Sequence, residues 1–96
     1  MEPLQEPVEQ QKLKALVREI LDDGNFEISS HAYEELAKDD LDAVDAVNVL
    51  RGGWFEAGEW EKGQWRYKAR TSRICVVFCF GEDARIIIVT GWRERR

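Results

Sequence analysis

The stretch Trp65-Arg66-Tyr67-Lys68-Ala69-Arg70-Thr71 alternates one residue at a time between an aromatic or small side chain and a cation. Successive side chains of a β-strand point to opposite faces. The pattern therefore predicts a strand with Arg66, Lys68 and Arg70 on one face and Trp65, Tyr67 and Ala69 on the other. A period of two extends to both sides of it. Strands are predicted over 54–60, 64–72, 73–80 and 84–92. The links at Glu61-Lys62-Gly63 and Gly81-Glu82-Asp83 are short, which implies an antiparallel meander. The apolar runs 74–80 and 85–89 mark its most buried strands.

Before residue 54 the period is helical. Leu13, Leu16, Val17, Ile20 and Leu21 recur on one helical face, and Gly24 supplies a stop. After a short extended piece, Phe26-Glu27-Ile28, either Ser29 or Ser30 caps a second helix from His31 to about Lys38. Glu34 and Glu35 lie near the positive end of its dipole. A third helix is expected after Asp39 or Asp40, with Leu41, Val44, Val47 and Leu50 as its apolar side and Gly52-Gly53 as its end. The predicted fold class is α+β: two to three N-terminal helices packed on one face of an antiparallel three- to four-stranded sheet. Residues 1–10, with Pro3, Pro7 and several Glu and Gln, read as a frayed tail, and 11–96 as a single domain.

A chain of 96 residues, 44% hydrophobic and 34% charged, supplies one modest core. No apolar run approaches the ~20 residues of a membrane span, and the N-terminus lacks the basic start and apolar stretch of a signal peptide. A cytoplasmic protein without membrane contact is the expectation. Cys75 and Cys79 share one face of an apolar segment and read as buried reduced thiols. With His31 as the single histidine, neither a metal site nor a cofactor is expected. No Gly-x-Ser-x-Gly, P-loop or dinucleotide fingerprint is present, which argues against the common hydrolase and nucleotide-binding classes.

The net charge of -5 hides a division. Residues 1–50 carry thirteen acids and four bases, giving -9, whereas residues 51–96 carry six acids and ten bases, giving +4. A row of like charges on one strand face raises the energy of the free protein unless an anion answers it. Overall acidity opposes broad binding to a polyanion, so nucleic acid would be met locally. If the helices cover the Tyr67 face, Arg66, Lys68 and Arg70 line the open one. Arg73 and Arg93 are candidates to join them, and Trp54, Trp60 and Trp92 could stack on bases. The plainer alternative is a solvated charged face with tryptophans packed at its rim. His31, at a helix start that disfavours the imidazolium, could accept a proton or be an ordinary surface residue.

The order from Asn25-Phe26-Glu27-Ile28-Ser29-Ser30-His31-Ala32, through Asp40-Leu41 and Val49-Leu50-Arg51-Gly52-Gly53, to Ile87-Ile88-Val89-Thr90-Gly91-Trp92-Arg93 resembles the MqsR-type toxins. It resembles still more the related domain-of-unknown-function proteins with a Ser-His-Ala helix start, within the RelE-like group of mRNA interferases. The resemblance spans about 13–93. It implies a RelE/MqsR-like helix-plus-sheet fold, metal-independent cleavage of single-stranded mRNA, and neutralisation by a cognate antitoxin protein. By this match Arg93 takes the place of the toxins' cation at the end of the last strand. Arg66 stands where their strand carries a catalytic tyrosine, and their catalytic lysine and glutamine have no counterpart.

RNA cleavage without a metal needs a base for the ribose 2′-hydroxyl, cations for the phosphate and an acid for the leaving oxygen. The expected assignment makes His31 the base or acid and gives Arg66, Lys68, Arg70 and Arg93 to the phosphates. Tyr67 or Trp92 would stack on a base, with Lys38 and Arg73 as further substrate contacts. A rival reading is a non-catalytic module that binds RNA or an acidic protein segment through the same sheet. In a third, the chain's own acidic N-terminal arm or another subunit's helices cover the cations, making the domain a homo-oligomer, such as a homodimer, or a regulatory protein.

Overall fold

The computed structural model describes residues 4–94, in the order α1 (Gln10–Asp22), β1 (Phe26–Ile28), α2 (Ser30–Lys38), α3 (Ala43–Gly52), β2 (Trp54–Phe55), β3 (Glu59–Glu61), β4 (Gln64–Arg70), β5 (Ile74–Phe80) and β6 (Ile86–Arg93). Leu13, Val17, Ile20 and Leu21 form the buried stripe of α1, and beyond its end Gly24 takes a φ of 72°. Such a left-handed residue, open to glycine without a Cβ clash, lets the chain turn back toward the sheet. Ser29 is the cap of α2, its Oγ accepting from the Ala32 N–H at 3.0 Å.

The third helix starts later than expected. Asp40 adopts a φ of 60°, which interrupts any helix begun at Asp39 or Asp40. Asp42 is the cap instead, in a reciprocal box with Asp45 whose two hydrogen bonds are both 3.0 Å. The later start changes the buried face: Ala46, Val49 and Leu50 point inward, Val44 is 65% exposed, and Leu41 is buried from the preceding loop.

The sheet has six strands, in the order β1-β6-β5-β4-β2 with β3 also on β4. The meander of β4, β5 and β6 is antiparallel as expected. The sheet as a whole is mixed, because β1 runs parallel to β6, with Phe26 opposite Ile86 and Ile28 opposite Ile88. A parallel pair requires a long crossover, and the helices and meander between these two strands supply it. The strand predicted over 54–60 is split. Trp54 and Phe55 pair with Arg70 and Ala69, Glu59 to Glu61 pair with Arg66 to Gln64, and Ala57 and Gly58 together oppose Tyr67. Two residues against one is a β-bulge. Glycine is required there because a Cβ on Gly58 would lie 2.7 Å from the Tyr67 ring.

All three helices lie on one face of the sheet. Leu13, Val17, Leu36 and Leu50 meet Tyr67, Ala69, Val76, Phe78, Ile86 and Ile88 in a single core. Tyr67 and Ala69 are fully buried and Trp65 packs at the core's edge, which agrees with the alternation of β4. Cys75 and Cys79 are buried and free. Residues 4–9, expected as part of a frayed tail, lie packed against the domain. Val8 is buried, Leu4 packs on the core, and the Val8 N–H donates to the Tyr67 hydroxyl at 3.1 Å. Residues 1–3 of the expected tail lie outside the described residues. Among the described residues no helix is long and apolar enough to cross a membrane.

Candidate functional site

Register decides which side chains share the face that the helices leave open. Lys68 is opposite Val77, which is opposite Thr90, and Arg70 is opposite Cys75, which is opposite Trp92. Cross-strand partners project to the same side, so Arg66, Lys68, Arg70, Thr90 and Trp92 belong to this face. On it lies a pocket of about 200 Å³ lined by Glu59, Glu61, Arg66, Lys68, Thr90 and Trp92, with Ala57 and Val77 completing the wall.

The acids reach this pocket through the turn between β3 and β4. Lys62 and Gly63 have φ of 50° and 80°, the pair of positive values that a two-residue primed hairpin turn requires. Such a turn fixes Glu61 opposite Gln64 and Glu59 opposite Arg66. A row of carboxylates thus runs beside the row of cations. Arg66 lies 3.9 Å from Glu61, and its guanidinium also meets the Gln64 side-chain oxygen at 3.0 Å when that amide is turned toward it. Arg70 is held by Glu56 and Glu94 together, and the Glu56 hydrogen bond raises its pKa further. The anion that the alternating strand called for is therefore largely supplied by the protein itself. Lys68 is the exception: among the described residues no carboxylate is bonded to it.

Three of the expected site residues, Arg66, Lys68 and Trp92, meet in the pocket. Arg70 shares the face but is engaged by its two glutamates. Tyr67 cannot stack on a base, because its ring is fully buried against Phe78 with centroids 5.5 Å apart. Burial, followed by the hydrogen bond to Glu6, pushes its hydroxyl pKa far up. Arg93 is opposite Ile74 on the helix side, where its Nε and an Nη donate to the Asp39 carbonyl at 3.4 and 3.3 Å. Arg73 sits in the exposed turn between β4 and β5, away from the pocket lining.

His31 and Lys38 lie on α2, which packs beneath β6; a Cβ on Gly91 would come 2.8 Å from Leu36. His31 Nε2 is 3.7 Å from Glu35 and Lys38 Nζ is 2.8 Å from it. The Lys38 hydrogen bond holds the Glu35 carboxyl below its ordinary range. The expected catalytic set is thus divided by the sheet, with His31, Lys38 and Arg93 on the helical side and Arg66 and Lys68 on the other. The acidic arm also keeps to the helical side: Glu6 bonds the Tyr67 hydroxyl rather than a member of the cation row.

Glu59, Glu61 and Thr90 were not singled out in the sequence. A signal for the two acids existed in the two-residue loop Lys62-Gly63, since that loop length alone sets them beside Gln64 and Arg66. Two cations, two carboxylates, a hydroxyl and an indole make a nearly neutral pocket, suited to one polar unit rather than to a long polyanion. Among the described residues no group of three or more His, Cys, Asp or Glu side chains is placed to hold a metal ion. No protein-family model, curated protein or solved structure matches the chain.

Proposed function

We propose that the protein acts on single-stranded RNA at the open face of its sheet, as a metal-independent endoribonuclease toxin of the MqsR/RelE-like kind neutralised by a cognate antitoxin. The observation that carries this reading is the convergence of Arg66, Trp92 and Lys68, a lysine with no bonded carboxylate among the described residues, on one pocket of the uncovered face. Lys68 and Arg66 suit a phosphate, and the Trp92 indole offers a plane for the adjoining base. The neighbouring acids confine phosphate contact to this spot and keep the rest of the face from holding RNA non-specifically. Induced expression is expected to arrest growth, with rescue by a neighbouring gene's product. The purified protein is expected to cut single-stranded RNA in the presence of a chelator, and Lys68→Ala to lose most of that activity. Normal growth together with intact RNA would refute the proposal.

The position of His31 across the sheet and the burial of Tyr67 favour a second reading, a non-catalytic RNA-binding module of the same face. Salt-sensitive binding weakened by Lys68→Ala, with the RNA left uncut, would select it.

A further inference from the structure

We propose that Glu59 is the general base of RNA cleavage and Lys68 its general acid, with Arg66 beside both on the scissile phosphate; this rests on the RNA-cleaving reading of the same pocket. Neither an imidazole nor a phenol lines the pocket, so the groups there that can take a proton from a ribose hydroxyl are the carboxylates Glu59 and Glu61. Glu61 is engaged with Arg66 at 3.9 Å. The Glu59 side chain has neither a hydrogen bond nor an ion pair with any described residue, while its backbone is fixed by pairing with Arg66 in the ladder.

The placement matches what the reaction requires. In-line attack puts the entering and leaving oxygens on opposite sides of phosphorus, so base and acid must flank the phosphate. Glu59 is directly across from Arg66, and Lys68 is the next residue on that face of β4. Directly opposed residues have Cβ atoms about 5 Å apart, and same-face neighbours on one strand are two residues, roughly 6–7 Å, apart. Glu59, reaching across from β3, and Lys68, reaching along β4, thus approach a phosphate held by Arg66 from two different directions.

In the reaction Glu59 removes the 2′-hydroxyl proton, the O2′–P bond forms, the P–O5′ bond breaks, and Lys68 gives its proton to the departing 5′-oxygen. The products are a 2′,3′-cyclic phosphate and a 5′-hydroxyl, with no change of oxidation state and no co-reactant.

The test uses a 5′-labelled single-stranded RNA of mixed sequence, and a copy methylated at every 2′-oxygen, with the wild-type chain, Glu59→Gln, Glu59→Asp and Lys68→Ala. Glu34→Gln, on the exposed side of α2, serves as control. Glu59→Gln is expected to cut about 100-fold more slowly or worse, the usual range for losing a general base, while binding the RNA at least as tightly as wild type. Glu59→Asp should retain more activity than Glu59→Gln, and Glu34→Gln should cut at the wild-type rate. Products should carry cyclic phosphates, and the methylated RNA should remain whole. Cleavage by Glu59→Gln at the wild-type rate, or cleavage of the methylated RNA, would overturn the assignment while leaving the RNA-cleaving reading standing. Absence of cleavage by the wild-type chain would overturn both.

Discussion

The Tyr67 hydroxyl donates to the Glu6 carboxylate at 2.7 Å while accepting the Val8 N–H at 3.1 Å, tying the segment before α1 to the centre of β4. The phenol is thus a structural clasp rather than a surface for a base. Tyr67→Phe leaves the Val8 N–H unpaired in a buried place and removes the donor to Glu6. The expected cost is about 1–3 kcal/mol in denaturant unfolding. Limited proteolysis should then cut within 4–9 at protease levels that spare the wild type. An unchanged unfolding midpoint and cleavage pattern would show that the clasp contributes nothing.

Lys68 and Arg70 share a strand face but not a situation. Because Arg70 is already held by Glu56 and Glu94, the free positive potential is concentrated at Lys68. Lys68→Ala should weaken binding to single-stranded RNA and reduce the slope of log affinity against log salt by about 0.7, the value for one phosphate contact on a single strand. Glu56→Gln should act in the opposite direction, tightening binding about threefold, since exposed charge interactions are worth about 0.2–1 kcal/mol. Titration of one RNA at several salt concentrations measures both. Weaker binding by Glu56→Gln would show that Arg70 serves the RNA only while its glutamate partner holds it in place.

Adjacent glycines at the end of α3 should respond differently. A Cβ on Gly53 would lie 2.5 Å from the Arg70 carbonyl oxygen and 2.7 Å from that of Val49, both backbone atoms with no freedom to rotate away. A Cβ on Gly52 would meet nothing within 4 Å. Gly53→Ala is expected to destabilise by about 1–3 kcal/mol or more, lowering Tm by roughly 10 °C in a domain of this size. Gly52→Ala should raise stability by about 0.4–1 kcal/mol through reduced freedom of the unfolded chain. Equal Tm values for the two variants would show that the β2–β4 pairing gives way to the added methyl.

The faces of β4 were legible in the sequence because a seven-residue alternation leaves no choice of side, and the meander followed from its short links. The parallel partnership of Phe26-Glu27-Ile28 with Ile86-Ile87-Ile88 was not, since it joins segments far apart in the chain and leaves no local period. The start of α3 depended on backbone geometry at Asp40, which an Asp-rich run does not disclose because each Asp is an acceptable cap. For the site, the sequence brought together Arg66, Lys68 and Trp92. It also grouped them with His31 and Arg93, because position in the chain does not tell which side of a sheet a helix will cover. The glutamates beside the cations depended on the hairpin register, a consequence of loop length that outweighs the charge pattern of either strand alone.

The two cysteines make the alkaline limb of stability a measure of how well the open face is sealed over them. Burial pushes the Cys75 thiol from near 9 up to about 11, and burial also raises Cys79. A folded-state value above the unfolded one means that the native chain keeps a proton which the unfolded chain gives up. The resulting stability is fully present below about pH 9 and is lost as the pH rises through about 11. Denaturant midpoints should therefore fall across this window, and fall less in Cys75→Ala once both proteins are referred to their midpoints at pH 7. At pH 8 a thiol reagent should modify both cysteines only as fast as the chain unfolds, since thiolate character and access are both withheld in the native sheet. Modification of Cys75 at the rate of a free thiol under native conditions would show that Arg70 and Trp92 do not seal the open face over it.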